Sequence, residues 1–347
     1  MHDMLYFMKA NSRKYFCHHK TRIILTSYRT TKSERRSKMH FNVKEDIIQL
    51  TREWKGERFP DGRPKVPDSD IEELKKLTQE QIWEPLWQLG YKNQFESHLY
   101  RVHEDERKLF GRAVTASYMP SRPDLYQLVE DIGHSEGRRG THNLWVVDSL
   151  VEGDVIVVDM YDKIYEGTFV GGNLSTAIKN NTKTGGAVIW GGIRDIEQIN
   201  KIPDYQIYYR GNDPTPIRDF EMTSFNGPVR IGAAVCLPGD IVYGYKGGVF
   251  FVPSHLVKYV IGEAKKPHVK DIFGFQCLAD HIYTTSDIDR GVWPTHMLDE
   301  LMDFIAKDPR AEQYRDLDWS KEYRKAKEFY GGDGNEQPGV VYDYSTV

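Results

Sequence analysis

Between residues 171 and 195 the chain reads GGNLSTAIKNNTKTGGAVIWGGIRD, the stretch that most narrows what it can fold into. Gly171-Gly172 opens a predicted helix, whose first-turn N–H groups lack intrahelical acceptors and form a natural anion cradle. A second pair, Gly185-Gly186, leads into the apolar run Ala187 to Trp190, which reads as a buried strand. Arg194 and Asp195 follow just past the strand's C-terminal end. In open α/β sheets ligands bind outside the carboxyl ends of strands. One segment therefore offers a helix mouth for an anion, a guanidinium for an oxyanion and a carboxylate for a cation. That set suits chemistry on a small keto acid.

The 347 residues allow one large core or two modest ones. Apolar content of 39% and charged content of 28% indicate an ordinary globular protein, and no run approaches the 18 apolar residues of a membrane helix. Residues 1–40 hold ten Lys/Arg (Lys9, Arg13, Lys14, Lys20, Arg22, Arg29, Lys32, Arg35, Arg36, Lys38) against Asp3 and Glu34. That is +8, so a net −4 leaves −12 for the remainder. Such a head is compatible with nucleic-acid contact, anionic membrane attraction or a transit peptide. We read it instead as a disordered tail, or as sequence ahead of a start at Met39. Cys17, Cys236 and Cys277 are too few and too scattered for a disulfide framework or a C-x-x-C zinc pattern, which points to a reducing, cytoplasmic setting.

The expected organisation is a head (1–40), an arm (41–67), a main domain (68–262) and a C-terminal extension with two helices (263–347). Asp68 and Ser69 are candidate caps for a helix presenting Ile71, Leu74 and Leu77, and Thr78 with Gln81 forms a capping box for the next. Pro85 predicts that this second helix is short or bent and ends at Gly90. Strands are expected at 111–118, 155–159, 187–190, 206–209, 229–231, 241–243 and 249–252, with an Arg-, Gly- and His-rich loop after the first. A helix is expected from Pro253 to Ile261, irregular aromatic chain over 268–293, helices capped by Thr295 and by Ser320, and a loose tail.

Five motifs in order then point to a family. Gly111-x-Ala113-x-Thr115, Gly153-Asp154-Val155 ending at Asp159, and Gly172-x-Leu174 come first. Gly191-Gly192-Ile193-Arg194-Asp195 and Pro238-Gly239-Asp240-Ile241-Val242 complete the set. Over roughly residues 70 to 262 the pattern resembles the RraA-like family. That family includes the regulator of ribonuclease activity, metal-dependent 4-hydroxy-4-methyl-2-oxoglutarate aldolases, and members labelled demethylmenaquinone methyltransferases.

The resemblance implies an α/β fold of the swivelling β/β/α type, assembled as homotrimers or hexamers with sites between neighbours. It implies substrate binding by Gly172, Asn173, Leu174 and Ser175, a catalytic and substrate-holding role for Arg194, and Mg²⁺ or Mn²⁺ on Asp195. The implied reaction is cleavage of a 4-hydroxy-2-oxo acid to pyruvate, with oxaloacetate decarboxylation as a side activity. The alternative is a non-catalytic regulator that binds a ribonuclease or another macromolecule; nucleic acid and membrane are not expected partners. This chain departs from the family pattern at Asn173, where an acid is frequent, and at Trp190, where an aspartate is frequent. It also has Glu84-Pro85-Leu86 for Asp-Ala-Leu, and Lys246-Gly247 in a stretch often acidic.

A lone divalent-ion carboxylate is adequate for Mg²⁺, which keeps several waters, and an arginine can hold a keto acid through two parallel hydrogen bonds. No residue stands out as the base for the 4-hydroxyl. Lys179 and Lys183 read as the solvated face of a helix rather than Schiff-base lysines. His134, His142, His255 and His281 lack metal-ligand spacing and read as loop or core residues, and Trp293 as a packing anchor of the extension.

Overall fold

The computed structural model describes residues 41–345, so the basic head expected at 1–40 lies outside the described residues. The strands are β1 (Phe95–Glu96), β2 (Tyr100–Arg101), β3 (Leu109–Pro120), β4 (Asp154–Asp159), β5 (Thr168–Val170), β6 (Ala187–Ile193), β7 (Ile207–Asn212), β8 (Phe220–Phe225), β9 (Val229–Ile231), β10 (Ala234–Cys236), β11 (Ile241–Tyr245) and β12 (Gly248–Val252). The α-helices are α1 (Lys44–Leu50), α2 (Asp68–Leu74), α3 (Gln79–Gln88), α4 (Pro123–Ser135), α5 (His142–Asp148), α6 (Gly172–Thr182), α7 (Ile196–Ile199), α8 (Val257–Ala279), α9 (Thr285–Ile288), α10 (Thr295–Lys307) and α11 (Ser320–Tyr330).

Ten strands form one mixed sheet in the order β1-β12-β11-β3-β4-β6-β7-β2, with β5 added beside β6 and β8 beside the far end of β3. The centre, β3-β4-β6-β7, is parallel. Parallel strands are covered on both faces and so read as unbroken apolar runs; Val155–Val158 and Ala187–Ile189 are such runs, fully buried. Ile156, Val158 and Ile189 face Val129, Val146 and Ile178 of the helical layer. Val155, Val157 and Val188 face Ile231, Val242 and Phe251 on the other side. The α/β expectation is met.

The arm is fastened through a buried ion pair. Arg63, 2% exposed, donates to both carboxylate oxygens of Asp154 at 2.7 and 3.1 Å. Asp154 is the aspartate of the Gly153-Asp154 motif and is itself fully buried. Removing one partner of such a pair leaves an uncompensated charge and costs about 3–5 kcal/mol.

Several expectations need correction. The stretch after β3 is not a loop: Pro123 occupies the first helical position of α4, where its missing N–H costs nothing, and Val129 and Ile132 face the core. Asp68, Ser320 and Thr295 are first helical residues rather than caps. The Asp68 carboxylate instead takes Arg112, and the Thr295 hydroxyl donates to the Asp333 carbonyl. The helix expected to end at Ile261 begins with a 3-10 turn, Ser254–Leu256, and continues as α8 through Pro267 to Ala279. Residues 268–279 are thus helical, and α8, α9, α10 and α11 all contribute to a segment expected to hold two helices. The terminal segment is not loose either, since Tyr342 stacks on Phe329 at 5.7 Å. The Thr78–Gln81 capping box is formed, and α3 carries Pro85 inside it.

Candidate active site

β6 and α6 converge on one end of the sheet. β6 is buried throughout, and its register shifts between Ile189 and Gly192, so the glycine pair Gly191-Gly192 forms an irregularity that re-aims the strand end. The Arg194 amide then donates to the Val170 carbonyl at 3.0 Å, tying the end of β6 to β5. Asp195 turns into the left-handed region, φ +59°, and caps α7 with its carbonyl, which receives Gln198 and Ile199 at 2.9 and 3.0 Å. A non-glycine residue there costs on the order of 1–3 kcal/mol, the kind of strain that gathers at functional sites.

That turn places the Asp195 carboxylate at the mouth of α6. Its Oδ2 accepts from the Gly172 amide at 3.1 Å and lies 3.7 Å from the Arg194 Nε. A first-turn amide and the helix dipole both favour the negative charge. Gly171 makes the approach feasible: a Cβ there would sit 2.3 Å from Asp195 Oδ2 and 3.0 Å from Arg194 Nε. A Cβ on Gly172 would meet Gln198 Oε1 at 2.1 Å. The glycine pair is therefore the contact surface against which the acid and the amide pack.

Arg194 and Asp195 are 39% and 36% exposed, so their mutual attraction adds little stability. They are instead available to a ligand. Both border a cavity of about 580 Å³, together with Gly171, Asn173, Leu174 and Gln198. Thr141, Asn143 and Ile217 form a further wall, shared with an adjoining cavity of about 540 Å³. Asn143 is fixed by accepting from Thr141 at 2.6 Å and donating to the Phe169 carbonyl at 2.9 Å. His142, in the adjoining cavity wall, accepts from the Met222 amide at Nδ1 and faces Glu130 at 3.1 Å through Nε2. Burial lowers its proton affinity, the Glu130 carboxylate opposing that fall.

Most of the expected site residues meet here: Asn173, Leu174, Arg194 and Asp195 border one opening, and Gly172, buried behind it, reaches the site through its amide bond to Asp195. Ser175 does not join them. Its side chain is fully buried, and its amide is spent on the Gly171 carbonyl at 3.0 Å. With Gly172 N–H given to Asp195, the first-turn donors left are the amides of Asn173 and Leu174. Gln198 was missed, although its place three residues after Asp195 matches capping-box spacing. Thr141 and Asn143 were missed because the chain before α5 reads as loop.

Among the described residues no group of three or more His, Cys, Asp or Glu is placed to hold a metal, which argues against a zinc-type cage. One carboxylate at a solvent-open cavity, with the amide side chains of Asn173 and Gln198 beside it, fits an ion that keeps most of its waters.

A model of the RraA-like family, Aldolase/RraA, matches residues 70–251, just over half of the chain and every residue of the α6–β6 opening. A protein of Halalkalibacterium halodurans named "Putative 4-hydroxy-4-methyl-2-oxoglutarate aldolase" is 27% identical over 143 residues, covering 40% of this chain and 67% of its own. Among solved structures, Streptomyces coelicolor RraAS2, described as an unusual member of the RNase ES inhibitor RraA protein family, superposes with a TM-score of 0.52 at 23% identity. It covers 61% of this chain and 97% of its own. An uncharacterised protein of Pseudomonas syringae pv. tomato gives 0.53 at 19% identity, covering 67% and 98%. At such identities the likeness concerns the fold alone.

Proposed function

This chain belongs to the RraA-like family, and from that premise we propose that it is a divalent-metal-dependent carbon–carbon lyase. Its substrate is a 4-hydroxy-2-oxo acid, cleaved to pyruvate, with oxaloacetate decarboxylation as a related activity. The observation that carries this reading is the meeting of Arg194, Asp195 and the open amides of α6 at one solvent-accessible cavity. A distant relative named as an aldolase agrees with it.

Arg194 would donate to the 2-oxo oxygen, where negative charge grows as the carbon–carbon bond breaks, and its planar fork can engage two oxygens at once. The amides of Asn173 and Leu174 would hold the substrate carboxylate at the helix mouth. Asp195, with water and the neighbouring amide side chains, would hold Mg²⁺ or Mn²⁺, which supplies Lewis-acid polarisation of the 2-oxo group. Asn173 leaves Asp195 as the lone carboxylate among the expected site residues.

The experiment couples purified protein to pyruvate detection, with 4-hydroxy-4-methyl-2-oxoglutarate and with oxaloacetate, in Mg²⁺ or Mn²⁺. Pyruvate release that disappears with chelator and falls roughly 100-fold or more in Arg194→Ala supports the reading. No pyruvate from either substrate, or release indifferent to both treatments, overturns it. In that event the regulator reading predicts macromolecular binding that persists under chelation and in Arg194→Ala.

A further inference from the structure

A second cavity, of about 370 Å³, is lined mainly by residues beyond the family-matched 70–251, on α8, α11 and the chain joining α9 to α10, with Glu84 of α3 on its border. Phe275, Leu278, Val292, Trp293, Leu298 and Trp319 give it apolar and aromatic walls. Its size is within the range of small-molecule sites, and charged side chains make up nearly half of its lining.

The charged groups around it are not equivalent. Lys266 is held by Glu322 at 2.8 Å, and Arg290 by Glu336 at 2.6 Å and by Asp287. Asp271 accepts from the Gln81 amide at 3.4 Å. Lys270 has no carboxylate within ion-pair distance among the described residues; its ammonium lies 4.1 Å from the centre of the Trp293 ring. An aromatic face engages one side of an ammonium that carries three donors. Trp319, 5% exposed, contributes an indole N–H with no acceptor among the described residues.

We propose that this cavity binds a small aromatic monocarboxylate, its carboxylate received by Lys270 and its ring lodged between the tryptophan-bearing walls. A ligand carboxylate supplies the direct ion-pair contact that Glu322, Asp271 and Glu84, acting on Lys270 from farther away, do not make, and the aromatic body matches Trp293 and Trp319. The acids Glu84, Asp271, Asp289 and Glu322 balance the bases Lys266, Lys270, Arg290 and Lys325 around the space, so the lining has no surplus of cations for a dianion or a phosphate. The state of the lysine agrees: burial pulls its ammonium down to about 8 although Glu322, Asp271 and Glu84 oppose that, with Lys325 adding to the fall. Strongly perturbed groups in a cleft mark binding and catalytic sites more often than inert surface. The inference does not depend on the lyase reading.

The test is calorimetric titration of the full chain with phenylacetate, phenylacetamide and phenethylamine, repeated on Lys270→Met, Lys270→Arg and Arg194→Ala. Saturable phenylacetate binding at least about tenfold tighter than phenylacetamide is expected, since the charged hydrogen bond distinguishes them. Lys270→Met should reduce the acid to the level of the amide, Lys270→Arg should keep the preference, and Arg194→Ala should leave it unchanged. If Lys270→Met does not fold, Lys270→Gln takes its place. Equal binding of acid and amide, preference for the amine, no binding, a preference that survives loss of the ammonium, or one that is lost in Arg194→Ala each overturns the proposal.

Discussion

Gly171 carries as much of the candidate site as either charged residue. Its backbone, φ −129° and ψ −161°, is extended and open to alanine, so the obstacles to a side chain are the Asp195 carboxylate, 2.3 Å from the Cβ position, and the Arg194 side chain, 3.0 Å from it. Gly171→Ala should therefore leave the melting temperature nearly unchanged while displacing the acid, and displacement of about 1 Å can cost roughly 100-fold in rate. Parallel measurement of kcat/KM for pyruvate release and of thermal unfolding checks this; equal loss in both would make Gly171 a folding residue only. The sequence exposes Arg194 and Asp195 because they follow an apolar strand directly. It does not expose that Asp195 adopts a left-handed backbone and takes the Gly172 amide, since that turn depends on where β5 and α7 lie. Nor does it show Ser175 turning inward, because its direction follows from the rotation of α6 against Tyr205 and the sheet.

Among the elements, β11 begins with an informative turn. Asp240 is buried, accepts from the Leu237 and Ser254 amides at 2.8 and 3.3 Å, and closes the Pro238-Gly239 corner. Burial outweighs those two hydrogen bonds and pushes its carboxyl up to about 7 from an ordinary 3.8. An acid raised in the folded state binds more protons there than in the unfolded chain. Its contribution is therefore complete below about pH 4 and is lost as pH rises to about 7. Asp240→Asn should flatten the pH dependence of the urea midpoint across that interval; an unchanged slope would contradict the assignment. The central strands β4 and β6 are legible because parallel pairing demands unbroken apolar runs, whereas the short strands β1, β2, β5 and β10 and the strand β8 were not expected. Helix α8 is not legible either: Pro267 signals a break, with a cost of about 3 kcal/mol inside a helix. Val257, Val260 and Ala264 before it, and Val269, Phe273 and Cys277 after it, bury enough surface to carry the helix through.

At the scale of the molecule α8 joins two hydrophobic clusters. Its first half packs with Ile82, Leu86 and Val252 of the main domain, its second half with Met297, Leu301 and Trp319 of the extension. An extension sharing one helix with the sheet should not unfold on its own. Tryptophan fluorescence in a variant that keeps only Trp293 and Trp319 of the seven tryptophans and far-ultraviolet circular dichroism should give coincident denaturation curves; separate midpoints would show an independent extension. The same continuity is why composition alone does not reveal where the family-matched part stops.

The most direct measurement is a crystal structure of the protein grown with pyruvate and Mg²⁺. Pyruvate is expected between the Arg194 guanidinium and the amides of Asn173 and Leu174, with the ion on Asp195. Pyruvate or the ion bound elsewhere, or an Arg194 side chain turned away from an occupied cavity, would contradict it.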